Sequence, residues 1–342
     1  GRIDLPNLTN ITTDYLSYSP FLNTNIAEFH FAAKNEEAIR SLSLFYDTGG
    51  NFGVYRESEC RAVREDAFEK MFGTYKKFIN TIAATYGGSV KFDCFRAKAR
   101  GYSSAREAAL SSGNVPLSVY DNLIDEIHNA IPTMKKYIEL RARALGKEKV
   151  DMFDLYVPVV EGVAETLHYE NAKELVKKAC APLGERYVAL LDEAYNNHWI
   201  DVYENKGKST GAFSAGVYGV HPYVMLNYTD TLDDAFTLAH ELGHAYHGQQ
   251  IESHRPLNTG YTMPVAETAS NFNELIIVND AISKASGGEK IALIESQIQD
   301  STQIIVDIYS RFLFEDEVIR RRKNTFLFAK DLEEIMTNAQ KE

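Results

Sequence analysis

Apolar residues recur at intervals of three and four over most of the chain, the spacing of helices that bury one face. Between 61 and 86 the stripe is Ala67, Phe68, Met71, Tyr75, Phe78 and Ile82, which predicts one long helix closed by Gly87-Gly88. The same spacing predicts helices over 90–99, 105–111, 117–130, 133–145, 171–181 and 184–198. From 200 to 228 the rhythm changes. Gly207, Gly211, Gly216 and Gly219 punctuate short runs rich in Val, Tyr and Phe, which read as strands and turns. Pro222 cannot donate to a ladder, so the run 223–228 is expected to start a strand or lie at a sheet edge. Helical spacing resumes over 233–250, 265–285 and 289–322. The first 50 residues mix Asn, Thr and Ser with Pro6 and Pro20 and hold one short helical candidate near 35–45. No internal repeat or low-complexity segment is present. The expected fold is mainly α with a small β-sheet beside the helix over 233–250. The expected organisation is an N-terminal segment (1–60), a helical domain (61–198) and a second region (199–342), with a groove between the halves.

Composition narrows the function classes. The chain has 342 residues, 44% hydrophobic and 25% charged, within the range of soluble globular proteins. A net charge of −12 argues against nucleic acid as a partner, because phosphate binding needs clustered Lys and Arg. The one concentrated basic run, Arg320-Arg321-Arg322-Lys323, follows Glu315, Asp316 and Glu317 and reads as a solvated helix face. Cys60, Cys94 and Cys180 are far apart, with no CxxC pair, so no disulfide framework or Cys-type zinc site is expected. Free thiols fit a reducing cytoplasm. No signal-like run is seen, and no stretch approaches the ~18 apolar residues of a membrane span.

The chemistry lies in His240-Glu241-Leu242-Gly243-His244. Residues four apart share a helix face, so His240 and His244 can offer two imidazole nitrogens to one zinc ion at about 2.0–2.1 Å. Glu241 is placed to take a proton from a water on that ion, the arrangement used for metal-assisted peptide hydrolysis. A third protein ligand is still needed. The pattern HExxHxxGxxH fails, since its last two positions hold His247 and Gln250. His247 lies about 10.5 Å along the helix from His240, too far to share one ion with it. Glu267 is the favoured candidate and His254 its rival. Glu267 opens a predicted second helix, with Pro264 in its first turn. It shares a stripe with Asn271 and Glu274, which could orient ligands through outer hydrogen bonds.

The stretch from Trp199 to Glu274 resembles the oligoendopeptidase F branch of the thimet-oligopeptidase-like (M3) zinc metallopeptidases. The resemblance rests on Trp199 through Lys208, Gly211-Ala212-Phe213-Ser214, His221-Pro222-Tyr223 and Leu226-Asn227-Tyr228, then Thr231 through His244, and Val265-Ala266-Glu267-Thr268-Ala269-Ser270. Weaker similarity runs through Ala99-Arg100-Gly101-Tyr102 and Asp154-Leu155-Tyr156-Val157-Pro158, so it covers roughly 55–280. It implies a zincin-like fold with a deep channel, Glu267 as third ligand of one zinc, Glu241 as base, and oligopeptide substrates. Family members run well beyond this length, and their C-terminal part carries a His- and Tyr-rich segment that contacts substrate. This chain has no His after His254, only Tyr261 and Tyr309 beyond it, and starts with Gly1. A truncated family member is therefore expected.

The expected function is a zinc-dependent endopeptidase for short oligopeptides. The strand region adds Tyr218, His221 and Tyr223 as candidate substrate contacts, and an edge strand there could bind an extended peptide as an added strand. An aminopeptidase is disfavoured, because Gly216-Val217-Tyr218-Gly219 offers no carboxylate to hold a free amino terminus. The rival reading is a non-catalytic zinc-binding fragment that needs a missing segment or a partner chain.

Overall fold

The computed structural model describes residues 52–160, 166–205 and 208–341, and the helix expected near 35–45 lies outside them. Its helices are α1 (Phe52–Arg56), α2 (Arg61–Lys77), α3 (Ile79–Ala99), α4 (Ala105–Ser111), α5 (Leu117–Ala144), α6 (Tyr169–Cys180) and α7 (Glu185–Asn196). Strands β1 (Ile200–Tyr203), β2 (Phe213–Val217) and β3 (Val220–Tyr228) follow, then α8 (Leu232–Ile251), α9 (Met263–Lys284), α10 (Gly287–Arg322) and α11 (Ala329–Ala339). Among the described residues the fold is mainly α with one small sheet, as the periodicity implied. Among the described residues no helix is long and apolar enough to cross a membrane.

One compact unit comprises Ser58–Val159 and the described part of Ser296–Glu342. Its helices depart from expectation at two breakers. The helix predicted to end at Gly87-Gly88 breaks earlier, at Phe78 (φ −107°, ψ 8°), and α3 then runs straight through the glycine pair. Each helical glycine costs about 1 kcal/mol. Contacts on either side offset that cost: Tyr86 stacks on Phe314 at 5.7 Å, and buried Val90 packs with Val318, Leu327 and Ile335. Likewise the helices expected over 117–130 and 133–145 are one, α5, with Pro132 inside it. Proline removes the bond to the residue 128 carbonyl. Helical geometry is held on both sides, by His128 Nδ1 3.1 Å from the Tyr309 hydroxyl and by Thr302 Oγ1 3.4 Å from Met134 Sδ.

The same unit buries a charged node. Asp154 is 0% exposed; Arg64 Nη2 donates to it at 2.7 Å and Lys147 Nζ at 3.0 Å. Arg64 also binds the carbonyls of Ser58, Glu59 and Phe153, and Arg141 those of Asp154 and Val157. Burial alone would raise the Asp154 carboxyl, but hydrogen bonds from Arg64, Lys147 and the Asp151 amide outweigh it and hold the group below its usual range. Removing one partner of a buried pair costs about 3–5 kcal/mol. Asp154→Asn is thus expected to lower unfolding stability by about 3 kcal/mol in a urea titration. Because the folded-state pKa is depressed, this contribution is present above the unfolded value of about 3.9 and lost as pH falls through the folded one. The mutational penalty should therefore be constant from pH 7 to 5 and shrink below about 4. A penalty unchanged at pH 3 would refute the ionic account.

The second unit comprises Val160–Glu295 with the described residues 52–57. The boundary expected at 198/199 falls inside it. Val176 of α6 and Leu191 of α7 lie in one core cluster with Leu238 and Leu242 of α8, Ile277 of α9 and Trp199. Full burial of each such aliphatic side chain contributes about 1.5–3 kcal/mol, so α6 and α7 belong energetically with the helices that follow the sheet. The sheet order is β1-β3-β2, with β1 parallel and β2 antiparallel to β3. β3 is therefore the central strand, not an edge. Pro222 is tolerated because the register with β2 shifts between Ala215↔Tyr223 and Val217↔Val220, while pairing with β1 begins only at Val224. Such a bulge frees the proline from the need to donate. Gly219, at φ 80°, makes the tight β2–β3 turn.

Candidate metal centre

Helix α8 starts at a capping box in which Thr231 Oγ1 accepts from the Asp234 amide at 3.1 Å and Asp234 Oδ2 from the Thr231 amide at 3.0 Å. Its Ala235, Leu238, Ala239 and Leu242 are fully buried. That face fixes the helix against the core and leaves His240 and His244 on a flank toward α9, which starts with Pro264 in its first turn.

One ligand atom each from His240, His244 and Glu267 lie within 4.8 Å of one another, the one such group of His, Cys, Asp or Glu among the described residues. Glu267 Oε2 is 3.3 Å from His240 Nε2 and 3.5 Å from His244 Nε2. Atoms each about 2.0–2.1 Å from a tetrahedral zinc stand about 3.3 Å apart, so two borderline-soft nitrogens and a carboxylate oxygen fit that ion in type and spacing. The imidazoles stand edge to face, with centroids 4.9 Å apart. His240 Nδ1 is 3.2 Å from Glu274 Oε2, which orients the ring and leaves Nε2 for a ligand.

Charge is unevenly shared here. Burial works to lower the His240 pKa, but the Glu274 hydrogen bond and the charges of Glu241, Glu274 and Glu267 outweigh it and raise it. Burial lowers His244, with His240 and His247 acting in the same direction against Glu267. Glu241 is raised to about 7, first by burial and then by Glu267, against His240 and the Ser214 amide. Its Oε2 is buried and has no hydrogen-bond partner among the described residues. An unpaired buried carboxylate oxygen is costly, so it marks a position built to meet something polar. A cavity of about 540 Å³ opens beside it, lined by Asp233, Thr237, His240, Leu226, Asn227 and Glu274 among others.

The remaining candidates lie elsewhere or act differently. His247 rests against the Tyr261 ring at 4.5 Å, and exposed His254 accepts from the Tyr218 hydroxyl through its carbonyl at 3.2 Å. Neither is in the ligand group. Asn271 is exposed, whereas Asn273 is buried and donates to the Ala239 carbonyl at 3.2 Å. At about 100° per residue, Asn271 turns away from α8 while Glu274 turns toward it. Asn273 and Ser270 carry polar contacts that the stripe Glu267–Asn271–Glu274 missed; their signal was two polar residues interrupting the buried line Ala266, Ser270, Asn273, Ile277. Tyr218 and Tyr223 are exposed, and His221 stacks on buried Trp199 at 5.0 Å. None of these three lines the cavity beside Glu241.

The sequence profile of Peptidase family M3 matches residues 54–314, which include every residue of this centre. The chain belongs to peptidase family M3. It is 45% identical over 231 residues to oligopeptidase PepF of Bacillus subtilis, covering 67% of this chain and 34% of that protein. Chromosomal oligoendopeptidase F of Lactococcus lactis subsp. cremoris is 42% identical over 248 residues, or 71% of this chain and 40% of the relative. The crystal structure of oligoendopeptidase-F from Enterococcus faecium matches with a TM-score of 0.58 and 29% identity over 85% of this chain and 46% of that one. This M3 chain thus spans two fifths or less of the length of these curated relatives.

Proposed function

We propose that the chain carries the zinc site and general base of a metalloendopeptidase acting on oligopeptides. The observation that carries this is the convergence of His240 Nε2, His244 Nε2 and Glu267 Oε2 beside the buried, unpartnered Oε2 of Glu241. His240, His244 and Glu267 would hold one zinc ion, and bound zinc supplies Lewis acidity to a water and to the scissile carbonyl. Glu241 takes a proton from the attacking water and delivers it to the leaving amine. Without metal, burial raises its carboxyl to about 7, and a nearby dication acts to lower it toward the ionised form that a base needs. Glu274 holds the His240 ring through Nδ1. The edge strand β2 offers backbone pairing to an extended peptide, so recognition depends little on side chains. Tyr218, His221 and Tyr223, on the turn and the start of β3, are proposed as flanking substrate contacts. The relatives named oligopeptidase and oligoendopeptidase F support the substrate class.

A second reading, a zinc-binding module that needs further polypeptide to act, is favoured by one observation. Val265, Phe272 and Leu275 of α9 are 50%, 56% and 51% exposed. At offsets of seven and three these residues share one side of the helix, and exposed apolar side chains grouped in this way mark a contact face. One experiment separates the readings: hydrolysis of a quenched fluorescent oligopeptide by this chain and by a chain of the relatives' full length that contains it. We expect the longer chain to be faster by about 10²-fold or more, the usual effect of one added group that positions the substrate or stabilises the developing oxyanion. Equal kcat/KM in the two would rule out the second reading, and no cleavage by either would rule out the first.

A further inference from the structure

Residues with no part in the proposed proton transfers meet where α8 and α9 cross. A Cβ at Gly243 would stand 2.8 Å from the Ala269 carbonyl oxygen, 2.9 Å from Ser270 Cα and 3.0 Å from Asn273 Nδ2. The two nearest atoms are helix backbone, which cannot rotate aside. Ordinary contact needs about 3.5–4.0 Å, so a methyl there would push the helices apart locally by roughly 0.7 Å or more. Metal–ligand distances tolerate only about ±0.2 Å. The crossing point lies one residue before His244 and two to three residues after Glu267, so such a displacement acts on the ligand cluster itself.

Ser270 lies on the other side of the same contact and is 0% exposed. Its Oγ is 2.9 Å from Glu267 Oε2 and 3.0 Å from the Glu267 carbonyl oxygen. Oε2 is also the carboxylate oxygen that faces both imidazoles, at 3.3 and 3.5 Å. Asn273 ties the crossing from the histidine side, donating to the Ala239 carbonyl and to the Tyr187 hydroxyl.

We infer that Gly243 and Ser270 are positioning residues for the metal centre, an inference that rests on the zinc reading above. Gly243 sets how closely the helix carrying Glu267 approaches the helix carrying the two histidines. Ser270 aims the carboxylate oxygen of Glu267 at them. Helix propensity argues for alanine at an interior position, so glycine at 243 has no local reason and is explained by the close approach. Ser270→Ala removes a hydroxyl and adds no atom, whereas Gly243→Ala adds one methyl.

The test is zinc affinity, measured by competition with a chromophoric chelator, together with the melting temperature of the metal-free proteins. Ser270→Ala is expected to weaken zinc by about 10–100-fold, the usual cost of losing an outer hydrogen bond to a ligand, with little change in metal-free melting. In a Glu267→Ala background the same substitution should cost nothing further, because the group it aims is gone. Gly243→Ala should weaken zinc at least as much, provided circular dichroism shows it folded. If it does not fold, Ser270→Ala still decides. Parent-like affinity in Ser270→Ala, or an equal loss with and without Glu267, would overturn the inference. A parent chain that binds no zinc would instead overturn the zinc reading beneath it.

Discussion

Glu241→Gln, made in a family-length chain that contains this sequence, is expected to lower kcat/KM for an oligopeptide by about 10²–10⁴-fold while zinc content stays at that of the parent. Gln matches Glu in size and keeps a carbonyl oxygen as an acceptor at the same position. What it cannot do is accept a proton from water at the position of Oε2, the buried oxygen that lacks a partner. The substitution therefore removes base function and spares the fold. Losing the negative charge of Glu241 lowers the His240 pKa, which favours a neutral ligand, but it also removes an anion near the dication. The two effects oppose, so zinc content is expected to stay near that of the parent. Two measurements decide it, metal analysis and a progress curve on one fluorogenic peptide. Turnover within a factor of a few of the parent would sink the assignment of Glu241, and loss of zinc together with turnover would make the effect one of metal binding.

The parts of this molecule legible in its sequence are those set by local periodicity. Helices α8 and α9 fall within two residues of their expected ranges, because each carries a helical apolar stripe, and Pro264 adds a start signal to the second. The three residues singled out as ligands are the three whose atoms meet, since the i, i+4 rule fixes two of them and a helix of the right polarity offers the third. Where long-range packing decides, sequence spacing misleads. Gly87-Gly88 and Pro132 are breakers by propensity, yet Tyr86 on Phe314 and His128 on Tyr309 hold helix geometry through them. Pro222 read as the start of a strand or as an edge signal, and a register shift against β2 lets it sit near the start of the central strand. Asn271 looked right by stripe, but the direction from which α8 packs selects Ser270 and Asn273. That direction is a tertiary fact, carried by Gly243 rather than by any feature of α9 alone.

Glu267→Ala is expected to weaken zinc by more than about 100-fold, because losing an outer partner of a ligand already costs about 10–100-fold and here the ligand itself goes. The two histidines would remain on α8, fixed by its buried face and by Glu274, so the site would fall from three protein ligands to two without unfolding. Ligand binding stabilises the folded state in proportion to the logarithm of its affinity. At saturating zinc a 100-fold loss therefore removes about 2.7 kcal/mol of metal-dependent stability, visible as a smaller rise in melting temperature on zinc addition. The metal-free protein should melt close to the parent, since Glu267 is about two-fifths exposed and its removal opens no core cavity. His254→Ala is the matched control. That side chain lies outside the ligand group, and its ordered contact, the carbonyl facing Tyr218, survives the substitution. Undiminished zinc in Glu267→Ala with loss in His254→Ala would transfer the third ligand to the loop after α8. It would also require that loop to close over the two histidines, bringing His254 to where the carboxylate of Glu267 now stands.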